Sequence, residues 1–183
     1  RATLAVPTQS GNLTYNGKAQ SPNLTGYDSA KMTLGGDTSG TNAKSYTATV
    51  TPKANFQWPD GATSAKSVSW SIGKAAGSLT LGQTTVALNG VGDTAVIAVT
   101  RSGDGAISAT SSNTNVATTS LSGDYVVVTG KGEGSATITV KVAEGTNYLA
   151  PSNKTASVSV TKPTVANSSW DNIKAISEAG NAA

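Results

Sequence analysis

From residue 67 to residue 72 the chain reads Ser67-Val68-Ser69-Trp70-Ser71-Ile72, with a hydroxyl on every second residue and an apolar group between. Successive side chains of an extended strand point to opposite faces, so this order suits a strand with one wet and one buried face. A helix would put Val68 and Ile72 on one face and Trp70 on the opposite one, splitting the apolar set. The alternation returns in Ser45-Tyr46-Thr47-Ala48-Thr49-Val50 and in Ser135-Ala136-Thr137-Ile138-Thr139-Val140. Thr and Ser are abundant, Gly numbers 20 and only 13% of residues are charged. That mixture favours strands and turns over helices, and the order of the apolar residues separates it from a disordered chain.

The periodicity predicts strands at 3–7 (a short one stopped by Pro7), 44–51 and 67–72 in the first half. It predicts 79–81, 85–88, 94–100, 106–110, 116–119, 125–129, 135–142 and 155–161 in the second. Core-facing sets are Tyr46/Ala48/Val50, Val68/Trp70/Ile72, Ala95/Ile97/Val99, Val126/Val128, Ala136/Ile138/Val140/Val142 and Ala156/Val158/Val160. Asn16-Gly17, Pro59-Asp60-Gly61, Gly92-Asp93 and Gly123-Asp124 punctuate these runs as turns. Short strands with turns every 8–12 residues predict a β-sandwich.

The two halves match each other. Ser45–Val50 lies over Ser135–Val140, Asn55-Phe56 over Asn147-Tyr148, Pro59 near Pro151 and Ser67-Val68-Ser69 over Ser157-Val158-Ser159. The offset of about 90 residues is far above solenoid periods and close to the ~100 residues of an immunoglobulin-type domain. The fold class is therefore all-β, with two tandem immunoglobulin-like β-sandwich domains at 1–74 and 75–162. Between them Gly73-Lys74-Ala75-Ala76-Gly77 reads as a small, flexible linker, too short for more than limited hinge motion. From 163 to 183 the composition changes. Ser168 with Asp171 has capping-box spacing, and Trp170, Ile173 and Ile176 lie three apart. This predicts a linker and a short helical segment that begins a following domain, as in a piece of a longer protein.

Chemistry is narrowed by what the chain lacks. It contains neither His nor Cys, which removes imidazole bases, thiol nucleophiles, disulfides and His/Cys metal sites. Glu133 and Glu144 flank one predicted strand at opposite ends, too far apart to act as a glycosidase pair. Asp60 and Asp104 stand in turns without the Asp-x-Asp-x-Asp spacing of a calcium loop. The expectation is no catalytic residue, no cofactor and no metal. Formal net charge is +3, with the lysines of the first half spread rather than clustered, which argues against nucleic acid. No apolar run approaches the ~20 residues of a membrane span, so no membrane insertion is expected.

Phe56, Trp58 and Tyr27 could form an aromatic platform for stacking sugar rings, or Trp58 could instead cap the end of the core. Tyr46 is a candidate for the hydroxyl-anchored tyrosine of a Greek-key corner.

Thr110-Ser111-Ser112-Asn113-Thr114-Asn115-Val116-Ala117-Thr118 followed by Gly134-Ser135-Ala136-Thr137-Ile138-Thr139-Val140 resembles the bacterial immunoglobulin-like domain of group 2. The first half, with Tyr15-Asn16-Gly17, Tyr46-Thr47, Asp60-Gly61 and Trp70-Ser71-Ile72, resembles a related bacterial repeat. It departs from such repeats at Ala43-Lys44-Ser45-Tyr46, where they usually carry an Ala-Gly pair before the tyrosine. The resemblance implies extracellular, tandem modules on bacterial cell surfaces or virions, acting as spacer, display or adhesion segments without enzymatic activity. A weak glycan-binding module, of an adhesin or a larger surface enzyme, is the alternative. The partners implied are a cell-surface glycan or host surface protein and neighbouring domains of the same chain, with the fragment itself a monomer.

Overall fold

The computed structural model describes residues 1–162, and the helix expected within 163–183 lies outside the described residues. The first half contains β1 (Ala2–Thr3), β2 (Thr8–Gln9), β3 (Leu13–Thr14), β4 (Leu24–Thr25), β5 (Met32–Gly36), β6 (Ser45–Pro52), β7 (Phe56–Gln57) and β8 (Lys66–Gly73). The second contains β9 (Ser78–Leu81), β10 (Thr85–Leu88), β11 (Thr94–Ser102), β12 (Ile107–Ser111), β13 (Ala117–Ser122), β14 (Tyr125–Gly130), β15 (Gly134–Val142) and β16 (Lys154–Val160). The described chain is all-β, as the alternation predicts, and the expected strands are present with their ends moved by at most three residues, except that the one expected at 3–7 is only Ala2–Thr3.

In the first half the main sheet has the order β3-β8-β6-β5, with two-stranded pairs β1-β7 and β2-β4 beside it. The antiparallel register of β6 and β8 sets Tyr46 opposite Trp70 and Ala48 opposite Val68. Two apolar clusters grow from this one pairing. Tyr46, Ala48, Trp70 and Ile72 form one, and Met32, Val50, Trp58 and Val68 form the other. Leu34 packs against both. The rings of Tyr46 and Trp70 stack with centroids 4.4 Å apart and planes 17° from parallel.

Among the described residues, no buried side-chain nitrogen or oxygen lacks a hydrogen-bond partner. Trp70 Nε1 donates to Asp37 O at 2.7 Å and Trp58 Nε1 to Ser64 O at 2.8 Å. Tyr46 Oη donates to Asn42 O, four residues upstream, at 2.7 Å. This is the backward bond of a tyrosine corner, the role the sequence suggested for Tyr46. The bridge of Gln20 with Gly40 runs directly over the Tyr46 ring, and a Cβ at Gly40 would overlap it.

The second half forms two four-stranded sheets, β10-β16-β15-β12 and β13-β14-β11-β9. Each buries one face. Val86, Leu88, Ala136, Ile138, Val140, Ala156, Val158 and Val160 are buried in the first sheet, and Leu79, Ile97, Val99, Val126 and Val128 in the second. Ala95, expected in the core, is only half-buried near the start of β11. The sheets close on each other at one edge, where Thr119 Oγ1 donates to Ala109 O at 3.0 Å. A Cβ at Gly130 would lie 3.4 Å from Val160 Cγ1, which brings β14 close to β16. Both halves thus have the layered build of immunoglobulin-like sandwiches.

By contact density the described chain divides into two compact units. The first joins Arg1–Thr80 with Val99–Ser108 and Val140–Lys154, and the second joins Leu81–Ala98, Ala109–Thr139 and 155–162.

Gly40→Ala is expected to destabilise the chain by about 1–3 kcal/mol, the usual cost of forcing a methyl into a filled core. Urea unfolding should show a lower midpoint with an unchanged slope.

Candidate functional site

Of the three aromatic candidates the structure buries Trp58 and leaves Tyr27 and Phe56 half-buried. Trp58 is 0% exposed and belongs to the core cluster with Met32, Val50 and Val68. Tyr27 is half-buried and packs against that same cluster. Phe56, half-buried in β7, belongs to neither cluster. A sugar stacks on an open ring face, and Trp58 has none. Lys66 Nζ lies 5.9 Å from its ring centroid and is held at 2.6 Å by Asp60 Oδ2. Trp58 is therefore the core-capping residue, the second of the two roles its position allowed.

The carboxylates are similarly occupied. Asp60 Oδ1 accepts Ala62 N–H at 3.0 Å, and the Lys66 hydrogen bond followed by this backbone bond holds its pKa below the ordinary 3.8. Lys31 at 2.9 Å and then Ala30 N–H act in the same way on Asp28. For Asp104, partial desolvation works upward, but backbone N–H groups, that of Asn147 foremost, outweigh it and lower the pKa. No group of three or more carboxylates able to hold a metal ion occurs among the described residues.

In the second unit a depression of about 570 Å³ lies against β10, β16 and β15. Thr85, Ser112, Ser135, Thr137, Ser157 and Ser159 line it together with small apolar residues. Its hydroxyls can donate and accept hydrogen bonds, but no ionisable residue lines it to activate one of them.

The most elaborate constellation lies in the first unit, around Gly73–Gly77. Ala75 N–H donates to Asn147 O at 2.9 Å, and Leu149 N–H returns a bond to Ala75 O at 2.9 Å. Ala75 thereby pairs in parallel with Tyr148. Asn147 Oδ1 accepts Ala43 N–H at 2.8 Å, and its own N–H goes to Asp104 Oδ2 at 2.8 Å. Tyr148 meets Tyr15 edge to face, with centroids 5.3 Å apart and planes at 75°. Lys74 Nζ bonds Gly145 O at 2.7 Å and pairs with Glu144.

The residues read as a flexible linker are hydrogen-bonded into place. A Cβ at Gly77 would collide with Leu149 O, so this glycine serves a close approach of two backbones and not freedom of motion. The bonds that join Asn147 to Ala43 and to Asp104 were not visible in the sequence. The signal present was the internal match of Asn147-Tyr148 with Asn55-Phe56, which marks the loop but not what it touches.

No protein-family model matches the chain, and no curated protein matches it. Among solved structures, domains 4–9 of the surface layer protein SbsC are similar at 17% identity over 87% of this chain, with a TM-score of 0.44. An I-band fragment from titin is similar at 15% identity over 87%, with a TM-score of 0.36. The D00-D0 domain of intimin is similar at 12% identity over 82%, with a TM-score of 0.28. The chain spans 30% of the SbsC structure, 64% of the titin fragment and 99% of the intimin domain. With each of these TM-scores below 0.5, the fold class rests on the sheets themselves.

Three outcomes are expected. Trp58→Ala should cost about 3–5 kcal/mol in chemical denaturation, as for a large core aromatic. Asn147→Ala should cost about 1–3 kcal/mol by leaving Ala43 N–H without its acceptor. The lowered pKa values of Asp28, Asp60 and Asp104 mean that the unfolded chain binds more protons than the folded chain as pH drops. Their contribution is complete above the ordinary carboxylate value and is lost as pH falls through the lower folded values. The thermal midpoint should therefore fall on acidification below about pH 4, and less steeply in Asp60→Asn.

Proposed function

We propose that this chain is a non-catalytic, extracellular segment of tandem immunoglobulin-like modules, one of them of the bacterial group 2 type. It serves as a structural spacer or display element on a bacterial cell or phage particle. The observation that supports this is the backbone pairing of Ala75 with Asn147 and Leu149. A linker whose N–H and C=O are both bonded cannot swing freely, and holding distance is the task of a spacer. The buried Trp58 and the engaged carboxylates agree with a chain selected for build and not for chemistry.

Surface location rests on the resemblance of Asn113–Ala117 and Gly134–Val140 to bacterial immunoglobulin-like repeats. Neighbouring modules of the same longer protein are the partners this reading requires, with target recognition carried elsewhere in that protein.

The deciding experiment removes residues 1–162 from the parent protein displayed on its cell or particle. Electron microscopy should show a shorter projection, and binding to the target surface should persist. Loss of target binding with the projection otherwise intact would overturn the spacer role and favour direct recognition by these modules.

A further inference from the structure

The chain makes one connection twice. Ala75 N–H donates to Asn147 O at 2.9 Å, and Ala75 pairs in parallel with Tyr148. Ala2 N–H donates to Asn55 O at 2.8 Å, and Ala2 pairs in parallel with Phe56. A basic residue precedes each alanine, Lys74 in one case and Arg1 in the other, and an Asn-aromatic dipeptide stands opposite each.

At the first connection the side chains of that dipeptide receive the end of the β3-β8-β6-β5 sheet. Asn147 Oδ1 takes the N–H of Ala43, which lies just before β6, and Tyr148 meets Tyr15, which follows β3. The last strand of that sheet, β8, then runs directly into Lys74-Ala75. At the second connection the corresponding groups are Asn55 and Phe56. Asn55 is exposed, and Phe56 packs into neither core cluster. Asn55 is also the one non-glycine with positive φ among the described residues, at 72°. Asn adopts that conformation readily, here in the turn closed by Phe56 N–H to Lys53 O at 3.1 Å, and Asn147 does not share it.

We infer that the Asn55-Phe56 loop is a docking surface for the end of another β-sandwich module, joined in the same chain through Arg1. The fitting module presents a backbone N–H as Ala43 does and an aromatic ring as Tyr15 does. Its last strand leads into Arg1-Ala2 as β8 leads into Lys74-Ala75. Asn55 Oδ1 is the acceptor for that N–H, and the Phe56 ring is the counterpart of Tyr148. This rests on the tandem-module part of the proposed function and is independent of where the protein is displayed.

The test fuses a second copy of residues 1–73 ahead of Arg1 of the full 183-residue chain, with the added copy alone isotope-labelled. Gly73 of the added copy then runs into Arg1-Ala2. Amide exchange at the added Ala43 should be about tenfold slower than in the same fusion carrying Asn55→Ala, the factor that one ordinary hydrogen bond supplies. Phe56→Tyr in the fusion should keep that protection and Phe56→Ala should weaken it. Asn55→Ala in the unfused chain should lower the thermal midpoint only slightly, by the cost of alanine in a left-handed backbone, and Asn55→Gly should leave it unchanged. Equal exchange at the added Ala43 with Asn or Ala at position 55 would overturn the proposal. So would an added copy that fails to fold, because docking on 55–56 is what would complete it, as 147–148 complete the first unit. Either failure would leave the spacer reading to its own deletion experiment.

Discussion

The register of β6 against β8 is the constraint on which the first half depends. It places Tyr46 on Trp70 and Ala48 beside Val68, and both apolar clusters draw two or more members from these two strands. Because the side-chain period of a strand is two, a slip of β6 by one residue would turn Tyr46, Ala48 and Val50 toward water together. The register is secured at its end by polar bonds. Tyr46 Oη reaches Asn42 O, and Trp70 Nε1 reaches Asp37 O, so the stacked rings are held at their rims as well as at their faces. Burial without those bonds would leave two unsatisfied donors, and each would offset much of what the ring contributes.

The same strand links the core to the seam. β8 ends at Gly73, whose carbonyl accepts Tyr15 N–H at 2.9 Å, and the next two residues are already engaged with 144–149. Tyr15 is thus bonded to β8 through its backbone and to Tyr148 through its ring. The Lys74–Glu144 pair is partly exposed, and pairs of that kind contribute ~0–1 kcal/mol. The backbone bonds of Ala75 and the Asn147–Ala43 bond are the stronger fasteners, because they fix main chain and lose little side-chain entropy. That explains why Val140–Lys154 belongs to the same compact unit as Arg1–Thr80 although 59 residues lie between them in sequence.

The strands were legible because their warrant is local. Ser67–Ile72 and Ser135–Val140 carry their faces in their own order, and burial follows that order almost residue by residue. The candidate site was legible only in outline. Trp58 stands next to a Pro-Asp-Gly turn, a position equally suited to a loop tip and to a core cap. Which it becomes depends on Met32, Val50 and Val68, residues that reach it only after β5, β6 and β8 have paired. The parallel pairing of β3 with β8, and of β10 with β16, is likewise invisible to periodicity, which reports faces and not strand direction.

The seam shows the division most clearly. Gly73 and Gly77 around Lys74-Ala75-Ala76 are, as a string, the composition of a flexible linker. In the fold, Gly77 permits a backbone approach, and Ala75 is held by two hydrogen bonds to a loop over seventy residues away. The sequence by itself determined that residues 1–162 are all-β, where the longer strands lie, which faces they bury and that the two halves share one pattern. Those properties follow from side-chain order over a few residues. Only the tertiary structure decided that Trp58 is core, that the seam is bonded and that Asn147 reaches Ala43, because each depends on a contact between segments that local order cannot specify.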